Sequence, residues 1–192
     1  FSNFKLLFSS YLKSKRYEKH LAAILSEYEK SDLVYLFSSW MFENAYAISS
    51  YRRKHKNIRA ISRAHSLDIY FERAKNNYLP LKLITSKKLD LISFVSKQGE
   101  RYWCDFLNTS NMLKRAKTIS SQLGVTHNYE IHINSLSSQR EFVVLTNCWL
   151  QPLKRIDLFI EALSNIDGIN IKWYHIGDDY GTGYFDTIKQ TC

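Results

Sequence analysis

The chain has 192 residues, 45% of them hydrophobic and 23% charged, which is the balance of a globular chain long enough for one large domain or parts of two. Six glycines and two prolines exclude low complexity or long linkers, and no apolar run approaches the roughly 20 residues of a bilayer crossing. The net charge of +9 calls for an acidic partner: nucleic acid, a nucleotide diphosphate or anionic lipid.

Residues Phe4 to Lys30 read as a helix in which Lys13, Lys15, Arg16, Lys19 and His20 are interleaved with Phe4, Leu7, Phe8, Tyr11, Leu12 and Tyr17. Asp32 to Phe37 reads as a buried strand, and Met41 to Tyr51 as an apolar helix followed by the exposed basic run Arg52 to Lys56. After a polar break at Asn57, Ile58 to Ile61 predicts a strand, with His65 four residues beyond it. Pro80 suits the first turn of a helix running to Lys88. Leu89 to Val95 predicts a strand, Ser96 an N-cap, and Lys97 to Leu107 a helix. Thr118 to Ser121 predicts a further strand, with Gly124 just past it, and the polar stretch 128–140 predicts a connection between domains.

Alternation at this spacing implies βαβ units and parallel sheets. The strands are short continuous apolar runs, as expected where helices cover both faces. The expected organisation is therefore an α/β chain holding parts of two Rossmann-like domains, 1–127 and 141–192, joined by 128–140. The chain opens on Phe1, and Phe185 to Cys192 reads as a helix barely begun, so truncation at both ends is expected. Cys104, Cys148 and Cys192 are scattered, with no C-x-x-C, which favours a reducing compartment and no metal site.

The most informative stretch runs from Phe142 to Asp179. An apolar strand ends at Thr146, a loop carries Lys154 to an amphipathic helix, and a second apolar strand ends in Gly177-Asp178-Asp179. Leu153, Ile156, Ile160 and Leu163 fall on one predicted buried helix face. A cation and a glycine at strand C-terminal ends stand where open parallel sheets bind phosphorylated ligands. His175 alternates with Trp173 and Ile171, which gives it a core role. Adjacent carboxylates at Asp178 and Asp179 diverge along most backbones, which argues against a metal.

Several residues in order resemble the two-domain GT-B glycosyltransferases of the large retaining family often called family 4. They are Leu153-Lys154-Arg155-Ile156-Asp157-Leu158, Ile160-Glu161-Ala162-Leu163, His175-Ile176-Gly177-Asp178, and upstream Ala60-Ile61-Ser62-Arg63-Ala64-His65-Ser66-Leu67-Asp68. The resemblance covers the chain from about Leu33 onward. It implies transfer of a hexose-like sugar from a nucleotide-diphosphate donor to a glycan or lipid-linked saccharide acceptor, with retention of configuration and no required metal or other cofactor. Lys154 would hold the diphosphate, Gly177 and Asp178 would line the nucleotide loop, and the catalytic-side His65 would orient the donor sugar in the interdomain cleft. Asp68 would either bond a sugar hydroxyl or cap the next helix.

The sequence departs from that family's pattern at two points. An arginine usual five or six positions before the lysine is replaced by Cys148 and Trp149, and Arg155 stands where a glycine is common. Arg155 is the candidate for the second positive charge. If the ends are cut, the isolated chain is expected to be inactive. The N-terminal basic and aromatic mixture suggests an anionic membrane surface rather than nucleic acid, hence an enzyme in the cytoplasm, peripheral on the inner face of the plasma membrane. The alternative is a non-catalytic basic α/β module that binds nucleic acid or anionic membrane.

Overall fold

The computed structural model describes residues 2–28, 33–110, 115–124 and 141–190. The expected connection 128–140 lies outside them. The chain forms two compact units, Phe1–His127 and Asn128–Cys192.

In the first unit, helix α1 (Ser2–Leu25) leads to strand β1 (Val34–Ser38), helix α2 (Glu43–Lys54), strand β2 (Ile58–Ala64) and the short helix α3 (Ser66–Ile69). Helix α4 (Lys82–Lys88), strand β3 (Leu91–Phe94), helix α5 (Lys97–Thr109) and strand β4 (Lys117–Ser120) follow. The four strands are all parallel and lie side by side in chain order. Crossovers of one hand between strands in chain order put the connecting helices on one face. Burial follows this rule. Leu36, Ala60, Ala64, Ile92 and Phe94 join Met41, Ala45 and Ile48 of the α2 region and Trp103 and Leu107 of α5 in a single core. On the opposite face Tyr35 and Phe37 are 64% and 54% exposed, and Ile119 is exposed too. The continuous apolar runs suggested two covered faces; among the described residues one is covered.

Three further boundaries differ from the sequence reading. Strand β2 continues to Ala64, because Ser62, Arg63 and Ala64 pair with Ile92, Ser93 and Phe94 of β3. His65 therefore follows the strand directly. Pro80 precedes α4 without entering it; Leu81, left-handed at φ +64°, caps that helix. Helix α2 runs on through Arg52, Arg53 and Lys54, so part of the basic run is its last turn.

Helix α1 carries its polarity inside out. Ser10, Ser14 and Glu18 are buried. Ser10 Oγ donates to Glu43 Oε1 at 2.8 Å, and Glu18 accepts from Lys15 and Lys54 at 2.7 and 2.9 Å. Phe4, Phe8, Tyr11 and Leu12, at i, i+4, i+7 and i+8, are exposed on another side.

In the second unit, strands β5 (Phe142–Asn147) and β6 (Ile171–Ile176) pair in parallel across helix α6 (Ile156–Ser164), and helix α7 (Tyr184–Lys189) closes the described part. Leu150, Ile156, Ile160 and Ile188 form its core, with Cys148, Trp173 and Tyr184 against them. Leu153 does not share the buried face assigned to it. It lies in the 3-10 turn Pro152–Lys154, before the helix begins, and is 78% exposed.

Candidate functional site

Parallel strands bring their C-terminal ends to one edge of a sheet, and the loops leaving that edge are where side chains can converge on a ligand. Each unit has such an edge, and the residues singled out from the sequence sit on both.

In the first unit the edge is built from the segments after β1 and β2. His65 Nε2 lies 3.1 Å from the Ser39 carbonyl oxygen, and its ring stacks on Trp40 at a centroid distance of 4.1 Å. Trp40 in turn stacks on Phe42, with 9° between the ring planes. His65 is thus half-buried, held by an aromatic ledge and a backbone carbonyl. Asp68 has no exposed surface. Its Oδ2 accepts the backbone N–H groups of Met41 (2.8 Å) and His65 (3.1 Å), so the capping alternative is the one present. Its Oδ1 has no hydrogen-bond partner among the described residues.

The sequence reading missed Lys82, which explains how a carboxylate is accommodated there. Lys82 is 3% exposed and donates to the Met41 carbonyl oxygen. Burial pushes its amine from the ordinary 10.5 down to about 8, opposed by the charges of Asp68 and Glu43. Burial raises the Asp68 carboxyl, while Lys82 and the two backbone donors draw it back. Nothing local marks Lys82 in the sequence, since its partners lie 14 and 41 residues upstream, at Asp68 and Met41.

In the second unit the edge is formed by the loops after β5 and β6. Gly177 has φ +156°, and a β carbon there would lie 1.8 Å from the Cys148 carbonyl oxygen and 3.0 Å from His175 Nε2. Only glycine fits. Cys148 N–H donates to the Ile176 oxygen (3.1 Å) and Leu150 N–H to the Asp178 oxygen (3.0 Å), which zip the two loops together. Beneath them Trp173 Nε1–H donates to Thr146 Oγ1 (2.9 Å), which leaves that hydroxyl to serve His175 Nδ1 at 2.8 Å. His175 therefore belongs to the packing of the strand pair.

A depression of about 460 Å3 opens at this edge, lined by Gly177, Asp178, Asp179, Gly183 and Asp186 among others. Asp179 is folded into its own loop. It accepts Phe185 N–H at 3.1 Å and Gly181 N–H at 2.9 Å, bonds that hold its carboxyl below the usual range. Asp178 Oδ1 accepts Tyr180 N–H at 3.2 Å. Trp149 meets Tyr180 edge to face at 4.8 Å beside a second depression that includes Gln151 and Thr182. The lining is thus acidic, suited to hydroxyl donors rather than to phosphate.

Lys154 stands outside this lining. It closes the exposed 3-10 turn at the entrance to α6, its N–H bonded to the Gln151 oxygen at 2.9 Å. Arg155 takes the left-handed conformation (φ 52°, ψ 42°), and its guanidinium pairs with Asp157 at 3.3–3.4 Å. That pairing lowers the Asp157 carboxyl. Gly177 and Asp178 thus share a depression, and neither Lys154 nor Arg155 lines it. Among the described residues no group of three or more His, Cys, Asp and Glu is arranged to hold a metal ion.

No protein-family model matches the chain, and no curated protein matches it. The class that fold and site define is an α/β protein with parallel sheets flanked by helices, compatible with a Rossmann-like arrangement. No described helix is long and apolar enough to cross a membrane.

Proposed function

We propose that this chain is part of a GT-B type retaining glycosyltransferase that moves a hexose-like sugar from a nucleotide-diphosphate donor to a glycan or lipid-linked acceptor. The observation that carries the reading is the paired edge of the second unit. The Lys154–Arg155 turn leads straight into α6, and Gly177 closes the neighbouring loop against Cys148.

In this reading the donor diphosphate lies at the N-terminal end of α6 against Lys154. Cleavage of the sugar–phosphate bond leaves charge on the diphosphate. A nearby ammonium stabilises that charge most where it is greatest, in the transition state. The acidic depression beside Gly177 takes the nucleoside, with Asp178 accepting from hydroxyls. His65, fixed against Trp40, orients the sugar, and Asp68 supports the His65 backbone from below. No metal or cofactor is invoked.

The exposed stripe of α1 supports a peripheral membrane location on the cytoplasmic side. Phe4, Phe8, Tyr11 and Leu12 face outward, and Lys15 and Lys19 continue the same side of the helix.

The test is titration with nucleoside diphosphates by calorimetry. Binding that weakens about tenfold or more in Lys154→Ala, at unchanged fold, supports the reading. Undiminished binding in that variant, or none in the parent chain, ends it.

A further inference from the structure

The opposite edge of the first unit's sheet, where the strands begin, carries a second feature that sugar transfer does not use. In a parallel α/β unit the helices end at this edge, so the last turns of α2 and α4 meet the starts of β3 and β4. A trough of about 480 Å3 opens there. Arg52, Arg53, Lys87, Lys88, Arg115 and Lys117 line it, together with one carboxylate, Asp90, and the apolar Ile84, Leu89 and Ala116.

Helix ends explain part of this charge. Each helix C-terminus carries about half a negative charge, which one cation compensates. Arg52 and Arg53 sit in the last turn of α2, and Lys87 and Lys88 in that of α4. Arg115 bonds Asn108 of the last turn of α5 at 2.8 Å. Three helix ends and Asp90 therefore amount to about −2.5 against six cations. Asp90 is also committed, since it accepts from Arg52 at 3.0 and 2.5 Å and from the Ala60 N–H at 2.9 Å. Lys88 is partly engaged, bonded to Ser50 Oγ at 3.2 Å and 4.3 Å from the Tyr46 ring centre. Arg53, Lys87, Arg115 and Lys117 remain exposed, with no ion pair among the described residues. Like charges gathered from separate segments repel one another, and a bound anion relieves that repulsion.

We infer that this trough binds a compact ligand carrying clustered phosphate groups. Its volume is that of a small-molecule site rather than of a nucleic-acid track. Its mixture of guanidinium forks and ammonium point charges matches phosphate oxygens. Phosphates clustered on one ligand are answered by cations from three separate segments. The site is independent of the sugar-transfer reading and lies at the other end of the strands from His65.

The test uses the whole chain, with tripolyphosphate as probe, in about 0.15 M salt, where diffuse attraction is screened beyond roughly 8 Å. Calorimetric binding is expected. It should weaken at least about tenfold in the combined Arg53→Ala, Lys87→Ala, Arg115→Ala and Lys117→Ala variant. It should be unchanged in Lys15→Ala/Lys19→Ala on α1. All four replaced side chains are exposed, circular dichroism checks the fold, and Lys117→Glu alone serves if the combined variant unfolds. Vesicles of phosphatidylglycerol that bind through the same four residues and are displaced by tripolyphosphate identify a lipid headgroup as the source of phosphate. Tripolyphosphate binding without vesicle binding identifies a soluble ligand. Equal affinity in the parent and the combined variant, equal losses in the α1 control, or no binding overturns the inference. Loss in Lys154→Ala alone would place the probe at the donor site instead.

Discussion

Gly177 stands so close to Cys148 that a β carbon on it would lie 1.8 Å from the Cys148 carbonyl oxygen. The contact joins the loops after β5 and β6 at the edge where the donor nucleotide is proposed to lie. Gly177→Ala cannot be absorbed by a side-chain rotation, because the obstacle is backbone. The expected cost is about 3 kcal/mol or more, with the loops forced apart. Hydrogen exchange at the Cys148 and Leu150 amides, which bond to Ile176 and Asp178, should speed up at least a hundredfold. Unchanged protection would mean that the loops accommodate the methyl group.

Arg155 occupies the left-handed region at φ 52°, which costs a residue with a β carbon roughly 1–2 kcal/mol. Its compensation is an ion pair with Asp157 that is about half exposed on both sides and therefore weakened by solvent. Arg155→Gly should therefore leave the second unit as stable as before or more stable by about 0.5–1 kcal/mol, whereas Arg155→Ala should lower stability. Denaturant midpoints of the two variants check the order. If Arg155 supplies a second charge to the diphosphate, Arg155→Gly also weakens nucleotide binding; if the Asp157 pair is its whole role, affinity holds.

Lys82 gives the first unit a pH dependence of defined sign. Its amine titrates near 8 in the folded chain and near 10.5 when unfolded. Between those values the unfolded state holds the extra proton, so stability rises with pH, by about 3 kcal/mol across the window. Below pH 8 both states are protonated and the burial cost is fully present. The charges acting on the amine are Asp68 and Glu43, and both pull its titration upward. Denaturant melts from pH 7 to pH 10 should show the rise in the parent and not in Lys82→Met. Asp68→Asn keeps an acceptor for Met41 N–H and removes one of the two charges, so the onset should move below pH 8. Parallel pH profiles for the parent and Lys82→Met would refute the assignment.

The exposed stripe on α1 is tested directly. Phe4→Ser with Phe8→Ser removes two large rings that are 67% and 54% exposed and belong to no described core. Stability should change by less than about 0.5 kcal/mol, while partition onto anionic vesicles should fall severalfold. A substantial loss of stability would mean that these rings pack within the chain.

What the sequence made legible was local. Ser96 reads as an N-cap from its place before a helical period, and its Oγ does accept Gly99 N–H at 3.1 Å. The alternation of strands with helices, and with it the parallel pairing, follows from the spacing of the apolar runs. What stayed hidden depends on distant partners. The continuation of β2 to Ala64 comes from pairing with β3, which a run containing Ser62 and Arg63 does not advertise. Coverage of one sheet face comes from the hand of the crossovers, not from any strand's composition. Leu153 keeps helical spacing with Ile156, yet the left-handed Arg155 breaks the helix between them. Asp68 reads equally as a cap or as a sugar ligand until Met41 N–H and Lys82 are placed around it.

Asp90 links stability to the anion site at the base of the same sheet. It bonds Arg52 through both oxygens and also takes the Ala60 N–H, tying the end of α2 to the starts of β2 and β3. Asp90→Asn keeps an acceptor for Ala60 but gives up the charge. The pair is partly exposed, so the loss should be modest, about 1–2 kcal/mol. The same change removes the one carboxylate lining the trough among the described residues and frees Arg52, so tripolyphosphate affinity should rise about three- to tenfold. A variant that is less stable yet binds the anion more tightly is hard to obtain from general loosening, which would weaken both. Paired melts and titrations of Asp90→Asn therefore separate a charge-built site from an incidental basic surface, and weaker binding in that variant would count against the site.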